Sequence, residues 1–558
     1  MKSSKASPRR AVRGSVVGAS EAFQELVHQF TDPFAFLREL IQNSLDAAST
    51  RIEVRFLYRG TGADPSAGLG TIEVQDNGEG MDERIIDDYL LTLFSSTKEG
   101  DRTKIGKFGI GFVSLFALEP ELVVVETGRG GEAWRVRFEP DGRFEKARLP
   151  EPVEGTTVRL LKCFSRPAFE ELRRQGVEAA RFWCKFAECD ILADGQPIRQ
   201  EFTLDAPLAV HHQEEGTELW VGFAEHLPGG PDDGDLAPQV GLYNRGLTLL
   251  EDTRLPGAAA DLAGLSLRIK SRDLEHTLTR DNVRQDEGYD RLLALVRRVV
   301  ADQLRPRLVD TLERLAREGG GPGASGLTPE AAYRYARLPC MQLARFLRDE
   351  PVLPVLQGAP LSPRALGRLE GPDGALLLAA ADSRVTQLLH AQGVRVLRDL
   401  DGFGPFLAQL SQRPVWRAEQ VFCAPAPVEL DPAGQALATR VGELLREAGL
   451  KVEAVALGRL EGDGSPWAGR VHVRQREAHG LTRPGHDDRP SLLGGARQVV
   501  LLRDAPLVAS CLALAPGAPE LAALLLGAAI LLAEGGDGGR VASLAERCLQ
   551  ARGAADGA

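Results

Sequence analysis

The chain has 558 residues, 43% of them hydrophobic and 26% charged, with 60 Gly and 34 Pro; this excludes a fibrous or wholly disordered protein, and the length allows about three or four domains. Its 67 basic and 78 acidic residues leave a net charge of -11, which argues against a broad phosphate-tracking surface and disfavours nucleic acid as a partner. Seven scattered cysteines, none in a CxxC pair, point to neither a disulfide framework nor a zinc site and fit a reducing cytoplasm.

In chain order, residues 1–19 are basic and polar with no apolar run behind the charges, so a disordered tail is expected and not a secretory signal. From 20 to 205, helical periodicity alternates with β-rich runs at 52–58, 71–75, 122–127, 134–138 and 157–161, predicting an α/β unit with a largely antiparallel sheet. Turn-rich sequence from Asp194 to Pro207 closes that unit. A mixed α/β domain is expected over 217–415, with strands at 219–223 and 240–243 and a long amphipathic helix at 289–317 ending in a Gly-rich linker. A further α/β domain is expected over 418–558, with helices at 519–533 and 540–551. The apolar run 521–533 lies between Glu520 and Glu534 and falls short of the roughly 18 residues that cross a bilayer, so no membrane partner is expected.

Three segments carry chemistry. In the first, over 32–48, Asp32 is expected to cap a helix and Pro33 to sit in its first turn. Leu37, Leu40, Ile41, Leu45 and Ala48 form an apolar stripe, while Glu39, Asn43 and Asp46 share another face at i, i+4 and i+7. A carboxylamide oxygen there can complete a Mg2+ shell shared with phosphates, and a carboxylate one turn away can activate water. Taken alone, this helix is better explained by an exposed polar face, so the neighbouring segments decide.

The second segment, Ile72-Glu-Val-Gln-Asp-Asn-Gly-Glu-Gly-Met81, reads as a strand running into Asp76, with Gly78 and Gly80 permitting a tight turn of positive φ. A carboxylate on a strand end can accept a hydrogen bond from an exocyclic amine, although an ordinary Asx turn fits Asp76 taken singly. The third, Gly106-Lys-Phe-Gly-Ile-Gly-Phe112, leads into a helix-compatible run, a combination that binds phosphate through backbone N–H groups. Gly155-Thr156-Thr157 follows at the head of a strand.

In this order and spacing the segments resemble the superfamily of gyrase, heat-shock chaperone, histidine kinase and mismatch-repair ATPases. Phe36-Leu-Arg-Glu-Leu-Ile-Gln-Asn-Ser-Leu-Asp-Ala-Ala48 and Phe94-Ser-Ser-Thr-Lys98 are most similar to the heat-shock protein 90 family, including its bacterial HtpG-type members. The resemblance implies an α+β multidomain fold: a Bergerat-type ATP-binding α/β sandwich, a mixed α/β middle domain and a smaller α/β C-terminal dimerisation domain. It implies an ATPase with Glu39 as general base, Asn43 on Mg2+, and ATP held by Asn43, Asp46, Asp76, Gly78, Gly80, Met81, Lys98, Gly106, Phe108, Gly109, Ile110, Gly111, Phe112 and Thr156. Residues 82–104 would form a lid. The stretch around Ser271-Arg-Asp-Leu-Glu-His-Thr-Leu-Thr-Arg-Asp-Asn282 is similar to the family's catalytic loop and places Arg280 toward the γ-phosphate, although Arg284 stands where the family has a glutamine. The implied activity is that of a homodimeric, ATP-driven chaperone clamp acting on client proteins; a dedicated ATP-gated scaffold, or a DNA-maintenance ATPase of the mismatch-repair or topoisomerase type, are the alternatives.

Overall fold

A computed structural model describes residues 12–14, 27, 32–61, 64–91, 110–225, 239–257, 260–275, 283–319, 327–461, 465–477, 479–484 and 497–555. The chain divides into two compact units, Met1–Val300 and Ala301–Ala558. The first unit opens with a nine-stranded sheet of β1 (Val12–Gly14), β2 (Arg51–Thr61), β3 (Asp64–Asp76), β4 (Leu122–Arg129), β5 (Glu132–Phe138), β6 (Phe144–Arg148), β7 (Gly155–Phe164), β8 (Asp190–Ala193) and β9 (Gln196–Pro197). Their order is β1-β6-β5-β4-β7-β3-β2-β8-β9, and only β2–β8 is parallel, so the antiparallel expectation holds. Within the stretch expected to be a disordered tail, Val12–Gly14 instead pairs with β6, covering backbone groups that an open edge would leave unpaired.

One face of the sheet is buried because β-branched and aromatic residues alternate along the strands: Ile52, Val54 and Phe56 on β2, Ile72 and Val74 on β3, Val123 and Val125 on β4. The helices Ala35–Asp46 and Arg166–Cys184 contribute Phe36, Leu37, Ile41, Phe169 and Ala180 to the same core. The first helix starts later than its sequence implies. Phe34 is the N-cap residue and provides no side-chain cap, while Asp32 accepts the Phe34 N–H at 2.9 Å in a turn that also contains Pro33. Asp32 therefore orders the entry to the helix rather than capping it.

The second sheet of this unit comprises β10 (Val210–Glu214), β11 (Thr217–Phe223), β12 (Val240–Asn244), β13 (Leu247–Asp252) and β14 (Leu265–Ser271) in the order β10-β11-β14-β12-β13. It begins at Val210, since the Glu215–Gly216 turn folds β10 back onto β11. The amphipathic run expected at 289–317 is helical throughout, the α-helical spans Glu287–Val299 and Arg305–Glu318 being joined by the π-helical turn Val300–Leu304, just before Pro306, whose missing N–H interrupts the regular hydrogen-bond ladder.

In the second unit, β15 (Leu376–Ala379), β16 (Leu397–Arg398) and β17 (Val415–Arg417) form a parallel sheet ordered β16-β15-β17. A four-stranded sheet follows, ordered β18-β19-β21-β20, from β18 (Ala426–Pro427), β19 (Val452–Arg459), β20 (His472–Gln475) and β21 (Arg497–Leu502). Val441, Leu444 and Leu445 of the Pro432–Glu447 helix and Leu526 and Ile530 of the Pro519–Ala533 helix pack into its core. The expected helix at 519–533 is present at those bounds. No helix among the described residues is long and apolar enough to cross a membrane. The α+β multidomain class expected from sequence is the one observed.

Candidate functional site

The Ala35–Asp46 helix, the ends of β3 and β4 and the head of β7 surround a cavity of about 570 Å³, within the range of small-molecule and cofactor sites. Its walls are mainly apolar, with Leu40, Val74, Met81, Leu90, Phe112, Val125 and Val158, and its polar groups are few: Asn43, Ser44, Asp46, Asp76, Glu79, Arg129 and Thr156.

Asp76 is the last residue of β3, and its register opposite Thr156 of β7 and Ile52 of β2 fixes its backbone. Its Oδ1 accepts from Gly78 N at 2.8 Å, Ser49 Oγ at 3.2 Å and Thr156 N at 3.3 Å. Ser44 Oγ lies 2.9 Å from Asp76 Oδ2 and also 2.9 Å from the Leu40 carbonyl, and its single proton serves one of them at a time. One carboxylate oxygen is thus tied to the scaffold while the other keeps acceptor capacity toward the cavity.

The turn after Asp76 is held as tightly. Gly80 has φ +65°, and a Cβ there would overlap the Gly128 carbonyl. Gly78 lacks the positive φ expected of it; its requirement is space, because a Cβ would sit 2.5 Å from Ser49 Oγ and 2.8 Å from the Ala47 carbonyl. Met81 N donates to Thr127 Oγ1 at 2.9 Å, and Thr127 Oγ1 lies 2.9 Å from Thr156 Oγ1 across β4 and β7. Arg129 and Glu79 pair at 2.6 Å at the rim.

Asn43 and Asp46 line the cavity, as their shared helical face requires. Glu39, one turn earlier, is buried and does not line the cavity; a Cβ on Gly111 would overlap its carboxylate, so that glycine lets the start of the Ile110–Val113 helix come against Glu39. Asp46 Oδ1 also pairs with Arg245, in the turn between β12 and β13, at 2.9 Å. Phe112 is buried in tilted contact with Phe138 at 5.3 Å. Lys98, Gly106, Phe108, Gly109 and Arg280 lie outside the described residues, as does the Ile110 side chain. The lid expected at 82–104 is described only as far as residue 91, where its first part is a helical stretch over 83–90.

Residues 32–141 match the family described as "Histidine kinase-, DNA gyrase B-, and HSP90-like ATPase". Over these residues the chain is similar to the ATPase domains of that family. The chain is also similar to the Chaperone protein HtpG of Alcanivorax borkumensis, 34% identical over 180 aligned positions covering 27% of this chain and 29% of the relative. The HtpG of Actinobacillus pleuropneumoniae is 32% identical over 178 positions, or 27% and 28%, and that of Chlorobaculum tepidum 29% over 231 positions, or 36% of each. The chain spans about a third of the length of these curated relatives. Both findings bear out the kinship with the heat-shock protein 90 branch expected from the motifs.

Sequence reading of this part of the chain missed the residues that hold Asp76. Ser44 sits off the Glu39–Asn43–Asp46 face, and Ser49 lies just past the helix, so neither falls at a revealing spacing. Thr127 meets Thr156 only through the register of β4 on β7, which local sequence does not encode. Asn43 offers one oxygen near the cavity, and among the described residues no cluster of three His, Cys, Asp or Glu could hold a metal. A Mg2+ ion sharing its shell with nucleotide phosphates needs only one or two protein ligands, so this donor set fits it.

Proposed function

We propose that this chain is an ATP-dependent molecular chaperone of the heat-shock protein 90 type, a dimeric clamp that closes on ATP and reopens after hydrolysis to act on client proteins. The observation that carries the reading is the mainly apolar cavity with Asp76 fixed on a strand end and Asn43 and Asp46 on one facing helix. Asp76 would take the adenine amine, with Thr156 and the turn Gly78, Gly80 and Met81 shaping the base pocket. Asn43 would hold Mg2+ with the phosphates. Gly111 and Phe112, together with Lys98, Gly106, Phe108, Gly109 and Ile110, would enclose the phosphate end. Glu39 would take the proton of the attacking water, and Arg280 would stabilise charge on the γ-phosphate.

The division into an ATP-binding domain at 20–205, a middle domain at 217–415 and a dimerisation domain at 418–558 is part of this proposal. Self-association through the last domain draws support from Leu521, Leu525 and Leu532, which are 47%, 42% and 55% exposed on one helix. They recur at i, i+4 and i+11, on one face.

The test is Mg2+-dependent ATP turnover measured alongside suppression of aggregation of a heat-denatured test protein. Turnover with nucleotide-sensitive protection supports the chaperone clamp. Turnover with no protection at any nucleotide state rejects the chaperone role and leaves an ATPase of another purpose.

A further inference from the structure

One wall of the 570 Å³ cavity is the helical stretch 83–90, which contributes Ile85, Tyr89 and Leu90. Its foundation is short. Asp82 caps the first turn by accepting Ile85 N at 2.8 Å, and the stretch then widens into the π-helical turn Ile86–Leu90. A two-turn helix of this kind has little stability of its own. Ile86 is fully buried beneath it, but the residues facing the cavity remain accessible, with Tyr89 59% exposed.

The stretch is fastened by a buried cation from the opposite side of the sequence. Lys146, on β6, is 6% exposed, and its Nζ lies 3.1 Å from Glu83 Oε1 and 2.6 and 2.9 Å from the two oxygens of Asp87. Glu83 and Asp87 stand at i and i+4, so one ammonium bridges successive turns. The Trp134 ring lies 5.1 Å from Nζ and closes another side. Burial disfavours the charge on Lys146, but the hydrogen bonds and charges of Asp87 and Glu83 outweigh it and raise its pKa above 10.5, so the clamp is charged throughout the neutral range. β6 itself is pinned between β5 and β1, with Lys146 in register with Val136 and Val12.

We propose that Lys146 is a positioning residue for the nucleotide pocket: by tying Glu83 and Asp87 to β6 it holds the 83–90 wall against the cavity and sets how long a bound nucleotide stays. The inference rests on the nucleotide reading of the cavity. Removing the ammonium leaves two carboxylates without their common counter-ion and frees the wall to move away from a ligand, so the effect falls on departure more than on arrival.

The experiment uses the full chain and a fluorescent N-methylanthraniloyl derivative of ATP with Mg2+, chased by unlabelled ATP in a stopped-flow instrument. Lys146→Met is expected to raise the dissociation rate constant about tenfold while association changes less than about twofold. Asp87→Asn, altering a half-exposed carboxylate, is expected to raise it about threefold, and the double variant to match Lys146→Met alone, because the Asp87 contact is already lost with the ammonium. If Lys146→Met does not fold, by circular dichroism, Asp87→Asn carries the test alone. A lowered Tm with unchanged dissociation in the folded variants means a purely structural ion pair and overturns the proposal. Absence of binding by the wild-type chain removes the nucleotide reading itself, and this inference with it.

Discussion

Two carboxylates, one in each unit, are held by several donors and yet serve different ends. Asp76 has its donors gathered mainly on Oδ1, from the backbone of Gly78 and Thr156 and the Ser49 hydroxyl, and the residue lines a cavity. Glu534, just past the Pro519–Ala533 helix, has both oxygens engaged by side chains: His472 Nε2 at 2.9 Å from Oε1 and Arg474 Nη1 at 2.8 Å from Oε2. The first arrangement fixes an acceptor and leaves part of it facing open space, as a ligand site requires. The second closes on itself and fastens a helix end to β20, as a structural cluster does. A carboxylate held by several donors therefore indicates a site through the direction of its remaining lone pairs, not through the number of its partners.

That contrast can be broken from either side. The largest expected effect is on turnover: Glu39→Ala is expected to lower kcat by about 10²–10⁴-fold, the worth of a general base, while calorimetry still registers ATP binding, because Glu39 does not line the cavity. In the second unit, Glu534→Gln is expected to cost about 1–3 kcal/mol by weakening a buried charge-assisted cluster, read as a lower unfolding midpoint in urea with nucleotide affinity unchanged.

The same residue gives a pH dependence. Burial pushes the Glu534 carboxyl up, but the hydrogen bonds and charges of His472 and Arg474 outweigh it and hold it below 4.5. A carboxyl lowered in the folded state stabilises above its unfolded value and loses that contribution as pH falls through the folded one. Wild-type stability is therefore expected to drop below about pH 4.5 more steeply than that of Glu534→Gln, in urea titrations across the acid range.

The smallest effect belongs to Asp46–Arg245. Both side chains are more than a third exposed, so Arg245→Met is expected to shift stability by less than about 1 kcal/mol. A larger shift, or a marked change in nucleotide affinity, would mean that this turn between β12 and β13 communicates with the pocket.

Much of the first sheet was legible because its strands are rich in β-branched and aromatic residues that alternate with polar ones over much of their length, and because its helix carries the apolar stripe Leu37, Leu40 and Ile41. The runs at 52–58, 71–75, 122–127, 134–138 and 157–161 all fall inside β2, β3, β4, β5 and β7. The three glycine and acid segments were legible as chemistry because backbone requirements such as the positive φ of Gly80 leave a sequence mark. What stayed hidden depends on register and distance. The supports Ser44, Ser49 and Thr127, the Lys146 clamp across some sixty residues, and β1 within an unpromising basic stretch are set by tertiary pairing, to which local periodicity is blind. In the second unit, the helices Pro506–Leu514 and Pro519–Ala533 are apolar on nearly all sides; the second was legible and the first was not, and for neither could the face that meets the core be read.

The central claim is that Asp76 is the anchor of an ATP site, and isothermal titration of ATP with Mg2+ into wild-type chain and Asp76→Asn tests it most directly. The account predicts saturable binding by the wild type and at least about a hundredfold loss in the variant, since an amide in that place turns an NH2 group toward donors or toward the base, with the unfolding midpoint retained as the control for folding. Binding by a folded Asp76→Asn protein with wild-type affinity would contradict it.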